Sequence, residues 1–172
     1  LLHGQPYLVG PLARLNLNLD RLPDDSRRLL ATTGVAFPSS NKFHSLLARA
    51  IEIHVAVGEA IRLLQAYRLP DEPHQAVTPR AGIGFGATEA PRGLLWHRYE
   101  VDQEGIIRGA RIVPPTSKNQ ARIEADLNRS LQTFGLQQTD DALQLRAETV
   151  IRNYDPCISC ATHFLKVDID RQ

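Results

Sequence analysis

The chain runs to 172 residues, of which 42% are apolar and 23% charged, the proportions of a globular protein with room for one real core. Its 20 Lys and Arg stand against 19 Asp and Glu, so no net field draws in nucleic acid or anionic lipid. No apolar run approaches the ~18 residues of a bilayer span and no signal-like start is visible, so neither a membrane span nor secretion is expected.

Methionine is absent and the first residue is Leu1. A complete translation product of this size rarely lacks methionine throughout, so the N-terminus is expected to be artificial. There are 2 cysteines, Cys157 and Cys160, unlike the several spaced cysteines of a secreted disulfide framework. A reducing, cytoplasmic compartment is therefore expected.

The stretch YLVGPLARLNLNLDRLPDD (7–25) mixes Gly, Pro and apolar residues and reads as a loop leading into a short helix. Residues 39–70 are clearer. Phe43, Leu47, Ala50, Ile51, His54, Val57, Ile61 and Leu64 share one helical face, and Arg49, Glu52, Glu59 and Arg62 share the other. Ser40 or Asn41 can cap this amphipathic helix and Pro70 stops it; its apolar face needs a partner surface. The Pro- and Gly-rich segment 71–93 is expected to be irregular.

LLWHRYEV and IIRGARIV flank DQEG, where Asp102 and Gly105 suit the first and last positions of a type I turn, so a β-hairpin is expected. The prolines of PPT end its second strand. Two helices follow. One carries the stripe Ile123, Leu127, Leu131 and Phe134 and stops at Gly135. The other carries Leu143, Ala147, Val150, Ile151 and Tyr154, with Thr139 as its cap and Asp140 and Asp141 in its positive first turn. Pro156 ends it and puts the cysteines on a turn. The expected fold is mainly α (α+β), helical with one small antiparallel hairpin, as a single unit over 1–172.

Thiolates are soft donors, suited to zinc, copper(I), nickel and iron–sulfur iron. A Cys-x-x-Cys turn aims two sulfurs at one point, but structural zinc takes four ligands and no second pair exists here. A thioredoxin-like pair belongs where a strand opens a helix, whereas this one follows a helix and Pro156. His163 could add a third ligand. From pattern alone a metal half-site, a redox pair, a zinc module and inert thiols all stay open.

The stretches YLVGPLARLN (7–16), ARAIE (48–52), EAPRGLLWHRYEVDQEGIIRGARIVPPTSKNQARIEADL (89–127) and DPCISCATH (155–163) resemble, in order, the large subunit of nickel–iron hydrogenases. The cytoplasmic branch that serves nicotinamide- or flavin-linked carriers is most similar in style. The resemblance implies a mostly helical fold around a nickel–iron centre whose iron carries carbon monoxide and cyanide, and hydrogen as the substrate. It implies Cys157 as a terminal nickel ligand and Cys160 as a nickel–iron bridge. The family's other two thiolates lie in an Arg-x-Cys-Gly-x-Cys motif that this sequence lacks. The chain is thus expected to be the C-terminal portion of a larger subunit, inactive by itself.

The resemblance also implies roles for other residues. Arg92, beside Pro91, would donate to an iron-bound cyanide or stand over the open metal position; a base role is awkward for a group that hardly deprotonates. Without the motif, Arg92 would simply pair with a carboxylate such as Glu89. Thr116 would bond the second cyanide, although its pattern alone reads as a strand-end cap. Asp155 would fix Arg92, where its bland reading is a cap on the turn. His163 and the Ile112 carbonyl would share a magnesium or iron ion, and a maturation endopeptidase would cleave after His163. The implied partners are an iron–sulfur small subunit and further electron-transfer subunits. The competing reading is a relic that keeps the packing surface without the chemistry. His54 reads as a core histidine, Glu52 as solvent-facing, and His97 carries no assigned chemistry.

Overall fold

The computed structural model describes residues 3–157. Three helices come first: α1 (Pro11–Leu17), α2 (Asp24–Thr32) and α3 (Ser45–Ala66). Strands β1 (Gly82–Ala90), β2 (Gly93–Val101) and β3 (Ile107–Val113) follow, then helices α4 (Pro115–Phe134) and α5 (Asp140–Arg152).

Pro11 opens α1, where its fixed φ suits the first helical position and its missing N–H is no loss. Asp24 and Asp25 occupy the first turn of α2, against the positive end of its dipole. The expected long helix is present as α3. Asn41 supplies the cap, its Oδ1 accepting from the Phe43 N–H at 3.0 Å, but the cap serves a short 3-10 turn at Lys42–His44 that leads into the helix. Leu12, Leu15 and Leu30 bury against Ala48 and Ile51 to form the first core. This covers only the early turns of α3. Val57, Ile61 and Leu64, on the same predicted stripe, remain 54%, 51% and 75% exposed.

The sheet differs from expectation by one strand. The Gly-rich stretch read as irregular forms β1, antiparallel to β2 from Gly82↔Val101 to Ala90↔Gly93. Alternating glycines weaken strand propensity, but backbone pairing to the edge of β2 decides the outcome. The expected hairpin is β2–β3, and its turn is held by Asp102, whose Oδ1 accepts from the N–H groups of Glu104 and Ile106. The Ile106 N–H is the chief cause of the depressed Asp102 pKa.

Val113 ends β3 and Pro115 starts α4, so Thr116 lies in the first turn of a helix rather than at a strand end. The buried face of α4 is polar: Thr116, Asn119, Asp126 and Ser130 are all buried. The Thr139 hydroxyl caps α5 by accepting from the Ala142 N–H at 3.3 Å, and Leu143, Ala147 and Val150 bury on its inner face.

His54 and Glu52 depart from their sequence readings. His54 is exposed, and its Nδ1 meets the buried Ser26 hydroxyl at 2.9 Å across α2 and α3, so it ties helices together from outside the core. Glu52 is half-buried in a two-pronged ion pair with Arg14 instead of facing water. His97 Nδ1 meets the Tyr99 hydroxyl at 2.8 Å on β2. No helix among the described residues is long and apolar enough to cross a membrane.

Candidate metal-centre half-site

Three segments far apart in sequence converge in one cluster. The first is the β1–β2 turn, Pro91 and Arg92, with Gly93 next at φ 133°. Proline bars the primed two-residue hairpin turns, which need a positive φ at the first loop position. The unusual backbone angle therefore falls on Gly93, where no Cβ opposes it.

The second segment is the turn after α5. Asp155 adopts φ 49°, a left-handed conformation tolerated by Asp, and its N–H bonds the Arg152 carbonyl at 3.1 Å. Its carboxylate Oδ2 lies 3.1 Å from Arg92 Nε, and the same Nε donates to the Asp155 carbonyl at 3.0 Å. Arg92 thus pairs with a carboxylate, and its partner is Asp155 and not Glu89, which Arg14 engages at 2.7 Å. Arg49 Nε stands 4.0 Å from the same Asp155 Oδ2. With Arg92 and Asp155 side chains 44% and 40% exposed, this pair is worth under about 1 kcal/mol of stability. Its value is orientation.

The third segment is the start of α4. The Thr116 hydroxyl accepts from the Cys157 backbone N–H at 3.4 Å. A hydroxyl that accepts there retains its own proton for donation elsewhere. Arg92, Thr116, Asp155 and Cys157 are therefore brought together, with Pro91 in the turn that carries Arg92. Ile112 sits on the exposed sheet, paired with His97 on β2. Cys160 and His163 lie outside the described residues, and among the described residues no group of three metal-ligating side chains forms.

Beside this cluster is a cavity of about 40 Å³ lined by Lys42, Arg49, Arg92, Arg122, Asp126 and Tyr154, among others. The buried Asp126 accepts from the Tyr154 hydroxyl at 2.5 Å and pairs with Arg122 at 3.0 Å. Burial, then the bond to Asp126, pushes the Tyr154 phenol well above its usual range. Burial pulls the Lys42 ammonium below its usual range.

Several supporting residues were not singled out from the sequence. Asn119 holds the Val9 backbone in both directions, accepting at Oδ1 from its N–H (2.8 Å) and donating from Nδ2 to its carbonyl (3.0 Å). Arg14 engages Glu52, Glu89 and the carbonyls of Ala90 and Pro91. Both residues lie inside the stretches that carried the family resemblance, which was the available signal.

Comparisons agree with this architecture. The chain is 33% identical over 166 residues to sulfhydrogenase 1 subunit alpha of Pyrococcus furiosus, covering 95% of this chain and 38% of that protein. It is 31% identical over 165 residues to the NAD-reducing hydrogenase HoxS subunit beta of Cupriavidus necator, covering 91% and 34%. Among solved structures, an NAD+-reducing nickel–iron hydrogenase in its H2-reduced state matches with a TM-score of 0.76 at 32% identity, over 94% of this chain and 38% of that one. A nickel–iron–selenium hydrogenase of Desulfovibrio vulgaris Hildenborough matches at 0.62 and 25% identity, over 93% and 36%. The chain thus spans little more than a third of these relatives. The family described as nickel-dependent hydrogenase matches residues 2–163, and this chain belongs to it.

Proposed function

We propose that this chain is the C-terminal portion of the large subunit of a nickel–iron hydrogenase, and that it supplies Cys157 and Cys160 as two thiolates of the bimetallic centre. The observation that carries the reading is the convergence of Arg92, Thr116 and Asp155 on the turn bearing Cys157. The donor chemistry fits. A soft sulfur stands beside hard hydrogen-bond donors, the combination needed by a metal carrying small anionic ligands. Arg92 spends only Nε on Asp155, and its two Nη groups make no hydrogen bond among the described residues. They remain available to an anion such as cyanide, as does the Thr116 proton.

When bound, the centre would supply reversible splitting of hydrogen into protons and electrons. The chain's own residues have narrower tasks. Cys157 Sγ would hold nickel and, as a thiolate, would accept a proton. Asp155 orients Arg92 through its Nε, which would keep the positive charge beside the Cys157 turn, and Thr116 fixes that turn through the Cys157 N–H. Arg92 acts by field and hydrogen bonding, since a guanidinium keeps its proton. His163 and the Ile112 carbonyl would hold the accompanying magnesium or iron ion, with maturation cleavage after His163. The relatives are named as single subunits of larger hydrogenases, which supports a multi-subunit complex; the proposed partners are an iron–sulfur small subunit and further electron-transfer subunits, in the cytoplasm.

The test is Arg92→Lys in the complete subunit, which keeps the charge and loses the planar donor fork. Hydrogen turnover should fall about 100-fold with nickel content unchanged. Normal turnover in that variant removes the assignment.

A further inference from the structure

Arg14 lies on α1, 78 positions before Arg92, and does unusual work for a partly exposed residue. Nε and Nη2 form a two-pronged fork on Glu52 at 2.8 and 2.7 Å. Nη1 donates to Glu89 Oε2 (2.7 Å) and the Ala90 carbonyl (2.8 Å), and Nη2 to the Pro91 carbonyl (2.8 Å). All five bonds are short, and three of them go to the consecutive residues 89, 90 and 91. The Glu52 bond first, with Glu89 adding, raises the Arg14 pKa, so it stays charged.

The turn it grips needs support. A two-residue connection led by proline cannot adopt the geometry that matches strand twist, so it tends to splay its strands. A second observation ties the same two pieces of backbone together. A Cβ on Gly10 would lie 2.7 Å from the Arg92 carbonyl, and one on Gly93 would lie 2.7 Å from Val9 Cγ2 and 2.9 Å from the Gly10 nitrogen. The residues just before α1 are thus pressed directly against Arg92 and Gly93, and Asn119 of α4 holds the Val9 backbone by two hydrogen bonds.

We propose that Arg14 is a positioning residue for Arg92: anchored on Glu52 by two of its five hydrogen bonds, it holds Glu89, Ala90 and Pro91 with the other three, so that the next guanidinium stays against Asp155, beside Cys157. Lysine cannot replace it, because a single ammonium has three donors and no planar fork to span Glu52, Glu89 and two carbonyls. The inference rests on the reading of Arg92 given above.

The experiment is a double-mutant cycle in the complete, metal-loaded subunit with Arg14→Lys, Arg92→Lys and both together. Hydrogen turnover, nickel content and amide exchange across residues 89–95 are measured on each. Arg14→Lys should lower turnover about tenfold and quicken exchange at Arg92 and Gly93 by a similar factor, with nickel content kept. The double variant should fall within about twofold of Arg92→Lys alone, because Arg14 acts through Arg92. Losses that multiply across the cycle, or exchange unchanged in Arg14→Lys, overturn the inference while leaving the reading of Arg92 intact. An Arg92→Lys variant with normal turnover removes both, even where exchange in Arg14→Lys has quickened.

Discussion

Asp126 is a carboxylate buried at 4% exposure on a helix, held by Tyr154 at 2.5 Å and by Arg122 at 3.0 Å. A buried charge survives only when paired and hydrogen-bonded, so the network is stable as a unit and fragile to loss of any member. Tyr154 has a raised pKa because burial and the nearby carboxylate disfavour phenolate. Its contribution to stability is therefore complete below the ordinary phenol range near pH 10 and is lost as pH rises through the folded value. Lys42, across the same cavity, opposes this: burial lowers its pKa, so the cost of its charge is relieved as pH rises. Tyr154→Phe should lower stability at neutral pH by about 1–3 kcal/mol, since Asp126 loses a partner. It should also flatten the alkaline decline, and thermal midpoints followed from pH 8 to 11 check both. At this scale the sequence was partly legible. Arg92 and Asp155 stood in recognisable motifs, and the structure pairs them. Arg14, Asn119 and Asp126 were not legible as supports, because each acts on backbone or side chains brought near only by the fold. A polar residue on a helix reads as solvent-facing until its partner is known.

At the scale of elements, α3, α4 and α5 followed from apolar periodicity and capping chemistry: Thr139 caps α5, and Asn41 caps the 3-10 turn that leads into α3 at Ser45. Helix α2 was not foreseen, because the stretch to residue 25 read as a loop leading into a single short helix. Strand β1 was hidden because glycines alternate through it and its pairing partner, β2, supplies the order that its own residues do not. The buried face of α4 was hidden for a related reason: Thr116, Asn119, Asp126 and Ser130 repeat at helical spacing but are polar. Helix α3 shows the reverse mismatch. Its early turns bury Ala48 and Ile51, while Ile53, Val57 and Ile61 stay more than half exposed. An apolar stripe of that length on a described surface favours self-association. Val57→Glu with Ile61→Glu should reduce light scattering by this 172-residue chain and leave its stability to thermal unfolding nearly unchanged, within about 0.5 kcal/mol, because neither side chain is in the core. A large drop in midpoint would show that the stripe is covered within this chain.

The molecule as a whole is organised so that the loop before α1, the β1–β2 turn, the start of α4 and the turn after α5 meet in one place. None of them holds a complete metal site among the described residues. That arrangement matches a chain spanning 38% of its P. furiosus relative and sharing the fold of a nickel–iron hydrogenase at a TM-score of 0.76. The large-subunit family was readable from the sequence because long stretches keep their order. The three-dimensional reason for those stretches was not, since it lies in contacts such as Val9 with Asn119, 110 positions apart. The most direct measurement is nickel stoichiometry in the complete subunit carrying Cys157→Ser, set against the unaltered protein and Thr116→Ala. The account predicts that Cys157→Ser loses its nickel while Thr116→Ala keeps it. Full nickel with normal hydrogen turnover in Cys157→Ser would contradict the assignment of Cys157 as a donor to the centre.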